Sequence, residues 1–110
     1  MSKIIPQLKV DSVTILNGAT TSSAIDQLRH VITGIEFPAA MTGTGVTFQV
    51  SQDNTNWVDS TVSAITKTNS SLVQVGSTYR SLEGLGRYLR LKSSGAEGAD
   101  RVFKIYSVPM

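Results

Sequence analysis

The chain has 110 residues, no cysteine, 16% charged residues and a formal net charge of +2. That length holds one domain, and without thiols neither a disulfide framework nor a thiolate metal site can form. The small net charge is not that of a nucleic-acid binder, and Ser and Thr, roughly a quarter of the chain, fill the polar role that Lys and Glu usually take.

Residues 1–9 read as an N-terminal arm in which Pro6 breaks regularity and Ile4, Ile5 and Leu8 are apolar. Two readings stay open: a first edge strand or frayed tail, or an arm that docks on a neighbouring subunit through those three residues. No apolar core of a secretory leader follows Met1–Pro6, and no run approaches the ~20 apolar residues of a membrane span. Cytoplasmic synthesis is therefore the default expectation.

Residues 10–110 read as one β domain. Val10–Leu16 predicts a strand with Val13 and Ile15 on one face, and Asn17-Gly18 predicts a turn because both residues tolerate positive φ. Ser23–His30 admits a short helix through Ile25 and Leu28, or a second strand. Val31–Phe37 alternates Val31, Thr33, Ile35 and Phe37 against Ile32, Gly34 and Glu36, and Pro38 ends it. Val46, Phe48 and Val50 then point inward. The Asp53–Asn56 turn leads to a return strand at Trp57-Val58, the clearest hairpin in the chain.

Asp59–Ser71 is polar and weakly patterned, with Val62 and Ile65 as its large apolar residues, and reads as a surface loop carrying at most one edge strand. Leu72–Val75 is a short strand, and Tyr79–Leu85 leads to Gly86. Arg87–Lys92 places Leu89 and Leu91 inward. Arg101–Val108 places Phe103 and Ile105 inward and Val102, Lys104 and Tyr106 outward. Turns every 8 to 14 residues predict an all-β sandwich, either jelly roll or Greek key, with a small barrel as the rival; the leading expectation is a single jelly-roll-like β-sandwich of about eight short antiparallel strands.

No catalytic constellation is visible. His30 is the only histidine and reads as a structural or surface residue. Asp53, Asp59, Glu83, Glu97 and Asp100 are scattered over loops. Asp53, Asn54 and Asn56 carry hard oxygen ligands of the kind calcium takes, but plain turn chemistry is the preferred reading. Arg80, Arg87, Arg90, Lys92, Arg101 and Lys104 make the last third basic, with Glu83, Glu97 and Asp100 among them. They read as cations that solubilise sheet faces and discourage edge pairing, not as a nucleic-acid patch. Trp57, the lone tryptophan, either packs at the core edge or presents its ring to a sugar beside Asn54 and Asn56.

Two families share segments with this chain. Val50–Trp57 followed by Gly86-Arg-Tyr-Leu-Arg-Leu91 is similar to discoidin-type, galactose-binding-like jelly rolls. That resemblance covers about a third of the chain and implies the fold without the ligand. A longer set resembles small β-sandwich proteins from tailed-bacteriophage structural gene clusters: Gly34–Ala40, Val46–Ser51 and on to Asp53, Gly86–Leu91, and Ala99–Val102. This second resemblance implies a non-enzymatic virion protein, made in the host cytoplasm and carried on the particle. The leading expectation is a capsid decoration protein that binds the major capsid protein or other virion proteins. The expected form is a homo-oligomer with no cofactor, no metal, no nucleic-acid partner and no membrane contact. The alternative is a carbohydrate-binding or host-attachment module of a fibre, neck or tail, with Asn54, Asn56 and Trp57 as its glycan contacts.

Overall fold

Alternating side chains give each long strand one apolar face, and two sheets bury those faces against each other. The computed structural model describes residues 8–27, 30–60, 64–75 and 86–109. Ile4, Ile5, Leu28, Val62, Arg80, Glu83 and the Tyr79–Leu85 segment lie outside the described residues.

Nine strands occur among the described residues: β1 (Lys9–Ile15), β2 (Ile25–Asp26), β3 (His30–Glu36), β4 (Gly45–Ser51), β5 (Val58–Asp59), β6 (Ile65–Thr66), β7 (Leu72–Gln74), β8 (Tyr88–Ser93) and β9 (Arg101–Pro109). A four-stranded sheet has the order β1-β9-β3-β7, and a second sheet has the order β2-β8-β4-β5 with β6 also paired to β4. All pairings are antiparallel. The protein is an all-β sandwich, as the alternation predicts.

The core joins Val13, Ile15, Ile32, Ile35, Phe103 and Ile105 of the first sheet to Ile25, Val46, Phe48, Val50, Ile65, Leu89 and Leu91 of the second. Phe37 meets Phe103 edge-on, with ring centroids 5.4 Å apart, a geometry that aromatic quadrupoles favour. Burying each such side chain contributes about 1.5–3 kcal/mol.

The expected β4, β8 and β9 faces are all found: Val46, Phe48 and Val50, then Leu89 and Leu91, then Phe103 and Ile105 are buried. The Asn17-Gly18 turn also forms, with Gly18 at φ +84° and Ala19 N–H donating to Leu16 O at 2.9 Å. Residues 25–26 form strand β2 on β8, the strand alternative for Ser23–His30. Within the Asp59–Ser71 stretch the strand that the sequence allows is Ile65–Thr66, which pairs with Gly45–Val46 and buries Ile65. The patterning of β3 needs correction. In β3 the expected alternation breaks at Thr33: Ile32 faces Ser107 while Gly34 faces Tyr106, so one extra residue is inserted. This bulge turns Ile32 into the core and leaves Val31 half-buried.

Candidate functional site

The two outer sheet faces differ in chemistry. On the outer face of the second sheet, β8 presents Tyr88, Arg90 and Lys92, while β4 presents Thr47 and Gln49. Register places Gln49 beside Arg90 on one flank and Asp59 on the other. Gln49 links them: its Nε2 donates to Asp59 Oδ1 at 2.7 Å, and its Oε1 accepts from Arg90 Nε at 2.8 Å. Lys92 Nζ lies 3.7 Å from Asp59. The Gln49 hydrogen bond, aided by the Lys92 charge, holds the Asp59 carboxyl below its ordinary value.

Arg90 also reaches across β4 to Trp57, where its guanidinium carbon sits 4.3 Å from the ring centroid. Trp57 is half-buried. It shares a shallow notch of about 320 Å³ with Ser51, Gln52, Asp53, Asn56 and Val58.

The turn before Trp57 is organised by one carboxylate. Asp53 Oδ1 accepts from the backbone N–H of Asn56 at 2.8 Å and of Thr55 at 2.9 Å. Its Oδ2 accepts from Asn56 Nδ2 at 2.8 Å, and Ser51 Oγ donates to Oδ1 at 2.9 Å. These donors, with the Asn56 and Thr55 amides largest, hold the carboxyl far below the usual carboxylate range. Asn54 occupies the left-handed region at φ 61°, which Asn tolerates better than most residues. Asp53, Asn54 and Asn56 thus build a turn closed by side-chain and backbone hydrogen bonds.

Of the three expected glycan contacts, Asn56 and Trp57 line the notch, while Asn54 stands at the turn outside its lining. Gln52 and Arg90 were not anticipated. Arg90's approach to Trp57 depends on register across three strands, which no local pattern encodes.

The outer face of the four-stranded sheet is more aliphatic. Leu8 is 52% exposed, Val10 47%, Leu72 57% and Val102 48%. Leu8, Leu72, Thr33, Gln74 and Tyr106 surround Gly34 in a groove of about 350 Å³. The Leu72 side chain lies so near Gly34 that an added Cβ would sit 3.1 Å from Leu72 Cδ1. Glycine is what gives this groove its floor. Polar groups cross the same face: Tyr106 Oη donates to Glu36 Oε1 at 3.1 Å, and Lys104 Nζ lies 3.8 Å from Glu36. The Glu36 hydrogen bond pushes the Tyr106 phenol up. Of the three arm residues expected to meet a partner, Leu8 is exposed and lines this groove; Ile4 and Ile5 lie outside the described residues.

The basic residues of the last third divide between surfaces, and those described are paired. Arg87 bridges Asp26 at 2.8 Å, Arg101 bridges Glu97 at 3.0 Å, and Arg90, Lys92 and Lys104 have the partners already named. His30 opens β3, where its N–H donates to Gln27 O at 3.0 Å.

Glu97 departs most from its sequence reading as a scattered loop acid: it is 2% exposed. Its carboxylate accepts from the N–H groups of Thr42 at 2.7 Å and Gly43 at 2.9 Å, from Ser93 Oγ at 2.7 Å and from Arg101 Nε at 3.0 Å. Four donors fit a clasp between two loops and leave little of the carboxylate for a ligand. No group of three His, Cys, Asp or Glu side chains able to hold a metal ion occurs among the described residues.

Comparison of the chain with protein-family models, with curated proteins and with solved structures returns no match.

Proposed function

We propose that the protein is a non-enzymatic structural component of a tailed-bacteriophage particle, a decoration protein seated on the outer surface of the major capsid protein. The observation that carries this reading is the aliphatic outer face of the four-stranded sheet, where Leu8, Val10, Leu72 and Val102 are each about half exposed. Exposed aliphatic side chains interleaved on one sheet face with polar groups such as Lys104, Glu36 and Tyr106 are a mixture that a protein–protein contact uses. The segments resembling phage structural proteins supply the source of the partner. They fall on β3 and the loop after it, on β4, on β8 and on the start of β9, so they coincide with the frame of the sandwich.

The strand order supports a jelly roll as the finer description of that frame. Strands β1, β2, β3 and β4 alternate between the two sheets, as do β7, β8 and β9, and double-sheet jelly rolls are built by such exchanges. Many copies on a symmetric shell bind with avidity, so each contact can be weak.

The test is co-sedimentation of the purified protein with phage capsids. Saturable binding at a copy number set by capsid symmetry is expected. The double variant Leu72→Lys, Val102→Lys should lose that binding while its circular dichroism and melting temperature stay near those of the parent. Undiminished binding by the variant would remove this face from the contact, and no binding to any capsid would remove the decoration reading.

A further inference from the structure

We propose that the notch at Trp57 is a saccharide subsite for a β-linked, gluco-configured chain, of glucose or N-acetylglucosamine units. This inference does not depend on the capsid reading: the notch and the aliphatic face belong to different sheets.

The argument starts with the ring. Arg90 is stacked on one face of Trp57, 4.3 Å from its centroid, and the half-buried indole lines the notch beside Gln52 and Asn56. The Arg90 guanidinium is itself fixed by Gln49, and Gln49 by Asp59. The aromatic surface is therefore set before any ligand arrives, which lowers the ordering cost of binding.

The rim comes next. Gln52 and Asn56 are exposed beside the ring. Asn56 Nδ2 is tied to Asp53 at 2.8 Å, and this turns the Asn56 amide into a fixed polar group. The Asp53 turn is closed by its own hydrogen bonds and does not need a ligand to form. An apolar plate with a few placed polar groups at its edge is the composition of a small-molecule site, and a volume of about 320 Å³ suits one or two sugar rings.

The sugar class follows from stereochemistry. A β-gluco pyranose carries its ring hydrogens axially, so its faces are apolar, and its hydroxyls radiate equatorially. Such a ring lies flat on an indole while its hydroxyls reach side-chain amides at the rim. An α-linked manno chain has an axial hydroxyl that interrupts one face.

Trp57 is the only tryptophan, so its emission reports on the notch directly. The experiment titrates the full chain with cellotetraose, with the N-acetylglucosamine tetramer and with an α-mannotetraose. A saturable emission change with at least one β-linked tetramer, and a clearly weaker response to the mannoside, is expected. By calorimetry Trp57→Ala should weaken that binding about tenfold or more, and Trp57→Phe, which keeps a ring, should weaken it less. Melting curves check that both variants fold; if the alanine variant does not, the phenylalanine variant and Arg90→Ala carry the test, each expected to bind more weakly than the parent. The proposal fails if neither β-linked tetramer changes the emission or gives heat, if the Trp57 variants bind as the parent does, or if the mannoside binds equally well. Capsid co-sedimentation by the Trp57 variants should be unchanged, so failure here is separable from failure of the decoration reading.

Discussion

The Glu97 carboxylate sits where Thr42, Gly43, Ser93 and Arg101 converge on it. Burial alone would push this carboxyl up, but the four donors outweigh it and hold the group below its ordinary value. A carboxylate with a lowered folded value stabilises the fold above its unfolded value of about 4.3, and that stability is lost as pH falls through the lower folded value. Replacing Glu97 by Gln takes from Arg101 its charged partner, leaving the 3.4 Å contact with Thr42 Oγ1, and sets an NH₂ group among donors. The expected cost at pH 7 is about 3 kcal/mol. The check is a set of urea unfolding curves for parent and Glu97→Gln from pH 7 down to pH 2: the gap should narrow with acid. A gap of constant size would mean that the charge of Glu97 contributes nothing. Gly43→Ala tests the same clasp from the other side, because an added Cβ would collide with Ser93 Oγ and press on Glu97 Oε2. It should destabilise by about 1–3 kcal/mol, measured by the same unfolding curves.

At the scale of the element, β3 shows where sequence patterning reaches its limit. Period-two alternation identified the inward residues of β4, β8 and β9 because those strands run six to nine residues without interruption of the inward face. In β3 the bulge at Thr33 adds one residue, and one residue is enough to reverse every side chain before it. Val31 and Ile32 are both β-branched and apolar, so composition could not show which of them the core takes. Strands β2, β5 and β6 hold two residues each, too few for any period, and are set by the longer strands they pair with. The same holds at the candidate site. Trp57 and Asn56 were legible from an isolated aromatic beside turn residues, whereas Arg90 entered through cross-strand register. Glu97 lies in a Ser- and Gly-rich loop whose composition looks like solvent-exposed turn. The bulge makes a direct prediction: Ile32→Ala should cost about 2–5 kcal/mol, because Ile32 is 2% exposed, whereas Val31→Ala should cost about 1 kcal/mol or less. Equal costs would place the bulge elsewhere.

Across the whole molecule, the sandwich keeps two unlike surfaces on opposite sides of one core. The aliphatic face of the four-stranded sheet and the Trp57 notch of the second sheet share no side chain. Sites that far apart in the contact network, with no common partner, perturb stability and binding nearly additively. The fold therefore permits one side to hold a particle while the other meets a second ligand, without either contact being relayed through the core. This independence is testable by combining changes. Leu72→Lys with Val102→Lys should abolish capsid sedimentation and leave tetramer binding by calorimetry intact, and Trp57→Phe should weaken tetramer binding by calorimetry and leave sedimentation unchanged. The triple variant should lose capsid binding, bind the tetramer as weakly as Trp57→Phe by calorimetry and melt within the summed shifts of its parents. Loss of tetramer binding in the two-lysine variant, with its melting temperature preserved, would show that the sheets are coupled and that the two surfaces act as one site.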